Sequence, residues 1–393
     1  MKRETKAVHW GDRRWKTGGF TPVTTPIYTA TTYLYDNVEQ LDRVLGREQE
    51  GASYGRYDNP TRAALEELVR ELESGAGAVA TSSGMAALHL SVSAALVDRP
   101  KRILAADALY GSTMNMLMSV FGAMGVETEF VNICDIRAVE SAIADVKPGA
   151  VVMETVSNPL LRVGEMDRIA AAARNAGAVL VVDNTFATPL LVRPLELGAG
   201  IVAHSATKYL AGHGDVLGGV VVADPDNIEP VRTLARTLGP VMSPFESYLT
   251  MRGIKTLALR VERQCANACK VASWLAAHSA VERVYFAGDP AHPDAATIAR
   301  LFPKNLAGAM VSFEIKEAGR EEVFRFMDNL KMIVRGTSLG DVHTMALYPV
   351  IASHRELSPK HRNRLGIHDN LIRVSIGIEA VEDIVEDLEQ ALG

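Results

Sequence analysis

Between residues 78 and 223 the chain alternates short, unbroken apolar runs with stretches of helical periodicity. No other feature constrains the fold as much. The runs fall at 78–81, 102–105, 150–153, 178–182, 201–203 and 219–222, with a more polar strand candidate at 128–131. A strand with one wet face alternates apolar and polar residues; these runs do not, so both faces of their sheet are covered. The expectation is an α/β fold with a large, doubly wound, mostly parallel sheet. Ligands in such sheets sit beyond the carboxyl ends of the strands. After about residue 240 the pattern changes. A helical stripe runs through Leu257, Val261, Cys265, Ala268, Ala272 and Leu275. Strand-like runs at 310–315 and 371–376 and a last helix at 381–392 complete a smaller α+β domain closing over the first.

Residues 1–58 carry no strong periodicity and many Thr, Pro, Gly and Tyr residues, so they read as an extended arm that packs against something else. Asn59 and Pro60 then open a helix as N-cap and first-turn residues. Leu65, Leu68, Val69 and Leu72 form its stripe, and Gly75 ends it. The expected division is an arm at 1–58, a cofactor-binding domain at 59–245 and a substrate-binding domain at 246–393.

With 393 residues, 48% of them hydrophobic, the chain can bury a large core. A net charge of −6 from well-mixed charges leaves no basic patch for nucleic acid. The charged start is no secretory signal, and no apolar run approaches the ~18 residues of a membrane span. A cytoplasmic location follows as an expectation. Of three cysteines, Cys265 and Cys269 share a helix face and read as small core residues, since no His or Cys completes a metal-ligand set. No metal is expected.

The chemistry concentrates at strand ends. Asp183 follows five apolar residues, and a buried carboxylate there needs a partner, such as a protonated pyridine nitrogen, unless it caps a turn. Lys208 lies in the run His204-Ser205-Ala206-Thr207-Lys208, before the glycine-rich stretch 212–219. Such a lysine can form a Schiff base with an aldehyde, and Ser205 and Thr207 can hold a phosphate. Aldehyde, pyridine and phosphate together describe pyridoxal 5'-phosphate. Ser82-Ser83-Gly84-Met85 joins a strand to a helix and suits an anion, as well as an ordinary turn. The 75–80 glycine pattern precedes its strand and is no dinucleotide fingerprint. Arg373, inside an apolar strand, is either ion-paired or holds a substrate carboxylate. Tyr110 either stacks on a ring or caps the core. Tyr54 and Arg56 share one side of an extended segment; they suit a phosphate or form a plain polar surface.

Taken with residues 54–61, 110–113, 154–159, 182–189, 338–340 and 371–379, these segments resemble the transsulfuration family of pyridoxal-phosphate enzymes. The matching stretches span almost the whole chain in the family's order. The resemblance implies the fold of that family and its tetramer, a dimer of dimers with shared active sites. It implies that Lys208 carries the cofactor, Asp183 meets the ring nitrogen and Tyr110 stacks on the ring. Gly84, Met85, Ser205 and Thr207 would hold the phosphate, joined by Tyr54 and Arg56 of the neighbouring subunit. Asn158, Ser338 and Arg373 would place the substrate carboxylate and the cofactor oxygen.

Family members dedicated to cystathionine carry Glu immediately before the Ser-Leu-Gly run, where this chain has Thr337. Ser112 matches neither the Cys nor the Gly found after the family's Tyr-Gly pair, and Asp341 resembles the methionine γ-lyase and sulfhydrylase side. The resemblance therefore implies a γ-lyase on methionine- or homocysteine-like amino acids. Its rivals are cystathionine γ-lyase, cystathionine γ-synthase and O-acetylhomoserine sulfhydrylase. An aminotransferase would share the Lys–Asp pairing, and a non-catalytic regulator would not need the full residue set.

Overall fold

In the computed structural model residues 1–13, 19–355 and 357–393 are described. Seven strands form the larger sheet: β1 (Gly77–Thr81), β2 (Arg102–Ala106), β3 (Glu127–Val131), β4 (Ala150–Glu154), β5 (Val179–Asp183), β6 (Ile201–Ser205) and β7 (Gly219–Ala223). Their order is β1-β7-β6-β5-β4-β2-β3. Only β7 runs against its neighbours; the pairs from β6 through β3 are parallel. All five residues of β4 are buried, as a sheet covered on both faces demands. Helix Gly84–Ala95 packs on β6 and β7, helix Met166–Asn175 on β5, and helix Ile136–Val146 on β2 and β3.

The smaller sheet contains β8 (Val281–Tyr285), β9 (Met310–Ile315), β10 (Val334–Arg335), β11 (Met345–Leu347) and β12 (Leu371–Ser375). Its order is β10-β11-β12-β9-β8, antiparallel except at β10–β11. Helices Leu257–Ala277, Arg320–Asn329 and Val381–Leu392 supply its apolar cover. Phe313 meets Phe326 edge-on within it, with centroids 5.8 Å apart. The sequence pattern missed β8, β10 and β11. The first carries exposed charges, Glu282 and Arg283, and the other two span two and three residues.

Three expectations need correction. The arm is not extended throughout: Arg3–His9 and Val38–Leu45 are helical, the first with Ala7 buried. Residues 14–18 of the arm lie outside the described residues. Helix Pro60–Glu73 ends on Ser74, at φ +61°, one residue before the expected glycine. Gly75 serves close approach instead, since a Cβ there would lie 2.3 Å from a Val222 methyl. Of the two helical cysteines only Cys265 is in the core; Cys269 is exposed.

Asn59 is the N-cap, its Oδ1 accepting from the backbone N–H groups of Thr61 and Arg62 at 3.0 and 3.2 Å. Its Nδ2 donates to the Tyr28 carbonyl at 2.7 Å, fastening the arm to the helix it opens. Asn59→Ala removes both functions. It should destabilise the fold by at least the ~1 kcal/mol of a lost cap, read as a lower denaturant midpoint at unchanged slope. An unchanged midpoint would show that the arm is held elsewhere.

Candidate active site

The carboxyl ends of β4, β5 and β6 open into a cavity of about 370 Å³. Lys208, Asp183, Glu154, Tyr110, Asn158, Ser205, Thr207, Gly84 and Met85 line it from the larger sheet's side. Arg373 from β12 and Thr337 from the preceding loop line it from the smaller domain. The site lies where the two sheets face each other, so neither alone encloses it.

Lys208 follows β6 by three residues, and its Nζ donates to Ser338 Oγ at 2.8 Å. Burial, and secondarily the Arg373 charge, bring its amine down to about 8. At pH 7 about a tenth of such an amine is the neutral nucleophile, far more than of an ordinary lysine. Asp183 ends β5; its Oδ1 accepts from the Thr185 N–H at 2.9 Å and the Thr185 hydroxyl at 2.5 Å. Burial pushes this carboxyl above the usual range, against those bonds. Both bonds fall on Oδ1, which leaves Oδ2 for a partner in the cavity.

A second carboxylate, Glu154, lies directly beside Asp183 in the β4–β5 register. It accepts the Tyr110 N–H at 2.7 Å and the Asn158 N–H at 3.3 Å. Burial first, and the Asp183 charge second, push it up as well. Arg373 is buried, donates to Asn158 Oδ1 at 2.8 Å and to the Ser338 carbonyl at 3.3 Å, and leaves its Nε unpartnered among the described residues. Burial brings its guanidinium down to about 10. Behind the strand ends, Glu73 Oε1 joins His204 Nε2 at 2.6 Å and the Asn184 amide at 2.7 Å. The Thr185 hydroxyl also accepts the Ser205 N–H at 2.8 Å, locking β5 to β6 where Asp183 and Ser205 emerge.

These residues fit pyridoxal phosphate. Helix Gly84–Ala95 begins at the cavity, with N–H groups of its first turn free of intrahelical partners. Only glycine fits at 84, because a Cβ would lie 2.7 Å from Ser205 Cβ. The backbone there can approach an anion that Ser205 also reaches. Thr207 is held by its hydroxyl, which donates to the Gly218 carbonyl at 3.2 Å and accepts the Gly218 N–H at 3.0 Å.

Of the residues expected on the substrate side of this cavity, Ser112 is not here. Ser112 is exposed on helix Gly111–Asn115 and is not part of the cavity wall. Tyr54 pairs with Thr32 in an isolated bridge, and residues 55–57 turn, so Arg56 does not continue an extended segment. The Arg56 guanidinium bonds the Arg236 carbonyl, stacks 4.6 Å from the Tyr57 ring centroid and lines a different cleft. Glu154 and Phe186 are site residues that the sequence pattern did not single out. Glu154 carried the same signal as Asp183, an acidic residue closing an apolar strand.

The family model described as Cys/Met metabolism PLP-dependent enzyme matches residues 4–393. Cystathionine gamma-lyase of Bacillus subtilis (strain 168) is 41% identical, the match covering 100% of this chain and 99% of that protein. L-methionine gamma-lyase of Fusobacterium nucleatum subsp. polymorphum is 38% identical, with 99% and 97% covered. Among solved structures, cystathionine gamma synthase from Xanthomonas oryzae pv. oryzae in complex with cystathionine superposes with a TM-score of 0.92 at 37% identity, covering 100% of this chain and 98% of the other.

The neutral fraction of Lys208 should govern cofactor capture. Apo-protein should turn yellow with pyridoxal phosphate at a rate that rises with pH through about 8. Arg373→Met removes one of the two effects that lower the amine, so the midpoint should move up. A midpoint unmoved by that substitution would detach Arg373 from the electrostatics of Lys208.

Proposed function

The chain belongs to the Cys/Met metabolism family of pyridoxal-phosphate-dependent enzymes, and on that footing we propose that it is a carbon–sulfur lyase acting by γ-elimination on methionine- or homocysteine-like amino acids. One observation carries the substrate choice. The charged side chains of the cavity wall are Glu154, Asp183, Lys208 and Arg373, among the described residues. In this reading Asp183 and Lys208 serve the cofactor and Arg373 the substrate carboxylate. Glu154 accepts backbone N–H bonds on both oxygens. Among the described residues no carboxylate of the wall is left for the distal ammonium of cystathionine, and the wall at Thr337, Leu339 and Leu347 suits a short thioether.

The open Oδ2 of Asp183 supports a matching set of cofactor roles. Asp183 would meet the ring nitrogen, Tyr110 would cover one ring face, and Gly84, Met85, Ser205 and Thr207 would hold the phosphate. Bound at Lys208, pyridoxal phosphate supplies an electron sink for charge developing at the substrate α-carbon. The Arg373 fork binds the α-carboxylate, with Asn158 Oδ1 fixing the guanidinium plane. Lys208 would take the α-proton through its desolvated Nζ and then move a proton at the β-carbon. Ser338, already bonded to Nζ, keeps that amine directed during the transfers. The sulfur group would leave as a thiol, and one water would be consumed in releasing ammonia and a 2-oxo acid as the other products.

The same reading divides the chain into an arm at 1–58, a cofactor domain at 59–245 and a substrate domain at 246–393. The arm reaches a neighbouring subunit, where Tyr54 and Arg56 approach that subunit's phosphate in a dimer of dimers. Support comes from their distance from this chain's own cavity and from the exposed apolar residues of the arm, Leu34 and Val38 among them. Mixing Arg56→Ala with Lys208→Ala subunits, each inactive alone, should restore activity through mixed sites with two intact halves. Exchange of subunits without any return of activity would reject shared sites.

A second reading is favoured by the 41% identity to a cystathionine gamma-lyase. Purified protein offered methionine, homocysteine and cystathionine separates the two. The first reading expects kcat/KM on methionine or homocysteine at least equal to that on cystathionine. Thr337→Glu should then move the ratio toward cystathionine, about tenfold for a gain of ~1.4 kcal/mol in the transition state. A strong wild-type preference for cystathionine would replace the first reading with the second. Ammonia formed without an added oxo acid excludes an aminotransferase.

A further inference from the structure

Two carboxyls lie side by side at the cavity floor. Glu154 and Asp183 are register partners at the ends of adjacent parallel strands, and both face the cavity. Two desolvated carboxylates at such a spacing do not both ionise readily. The groups facing them are Arg373 from β12, His204 from β6, Lys208 in the same cavity and Thr185 on the turn after β5. His204 is engaged by Glu73, and Arg373 by Asn158 and Ser338, so neither is bonded to this pair. Glu154 itself holds two loops at once. One oxygen takes the N–H of Tyr110, the other that of Asn158, whose side chain in turn orients Arg373.

We propose that Glu154 and Asp183 share one proton before the cofactor binds, and that Glu154 is a positioning residue that gives this proton up when the cationic ring nitrogen faces Asp183. The ring charge then satisfies Asp183, and Glu154 becomes a full carboxylate. Its two N–H bonds become charge-assisted and tighten Tyr110 and Asn158 around the ring. Cofactor binding is thereby coupled to the order of the substrate-carboxylate site. The proton leaves a carboxyl O–H and ends on the ring nitrogen when the cofactor arrives unprotonated there, or in solvent when it arrives protonated. Both routes predict the same difference from a protein that lacks the shared proton. The inference rests on the pairing of Asp183 with the ring nitrogen.

Proton linkage tests it. Heats of cofactor binding to apo-protein, measured in buffers of different ionisation enthalpy, give the net protons exchanged. Glu154→Gln should take up about one proton per site more than wild type, because its apo form has none to give. Glu154→Asp keeps a titrating carboxyl beside Asp183 and should match wild type. Equal counts in wild type and Glu154→Gln overturn the proposal, since an isosteric scaffold residue would not change them. Should Glu154→Gln fail to fold, infrared difference spectra of wild type decide: a protonated-carboxyl stretch must be present in apo-protein and vanish on binding, and its absence overturns the proposal. Asp183→Asn isolates the premise. If it binds the cofactor as tightly as wild type, the pairing fails and the proposal with it; if binding weakens while the proton counts stay equal, the proposal alone fails.

Discussion

An amine withdrawn from water loses its proton more easily, and the rest of this site is arranged around that fact. Lys208 sits in a cavity closed by two sheets, with a guanidinium nearby, and both features disfavour its charged form. A lysine on the surface would remain an ammonium near neutral pH and would neither capture an aldehyde readily nor take a proton from carbon. The larger sheet supplies the strand end from which Lys208 emerges. The smaller one supplies Arg373. Neither sheet alone desolvates the amine.

Carboxylates are held at the same strand ends for the opposite reason. Burial destabilises the ionised forms of Asp183 and Glu154, so each is surrounded by donors that limit the cost. Thr185 donates twice to Asp183, and two backbone N–H groups point at Glu154. Behind the strand ends, Glu73, His204 and Asn184 form a buried polar cluster that joins the first long helix to β6 and the turn after β5. Polar networks of this sort fix a single arrangement because leaving any member unpaired is costly.

The joint between the domains is chemical as well as mechanical. Arg373 of β12 reaches Asn158 of the larger domain, and the Ser312 hydroxyl of β9 donates to the Pro159 carbonyl next to it at 2.7 Å. Arg162 and Asp294 add a two-point ion pair, at 2.7 and 2.9 Å. Arg373 is thereby tied to both sides of the cavity, through Asn158 and the Ser338 carbonyl.

Sequence by itself determined the covered sheet, the helix opened at Asn59, and the choice of Lys208, Asp183 and Arg373 as candidates, which the fold gathers in one cavity. Continuous apolar runs, a cap followed by proline, and charged residues at strand ends are local signals, legible without knowing what packs on what. The short strand β11 exists because β12 offers it hydrogen-bonding partners, and β10 because β11 does, and no run of two or three residues could announce that. Glu154 carried a readable signal, but its importance comes from standing next to Asp183, a neighbour 29 residues away that only strand register selects. Ser112 shows the converse. Its sequence neighbours placed it at the site, yet the fold turns it out to solvent. Residue chemistry is fixed by the chain; which chemistries meet, and how dry they are when they do, is fixed by packing at long range.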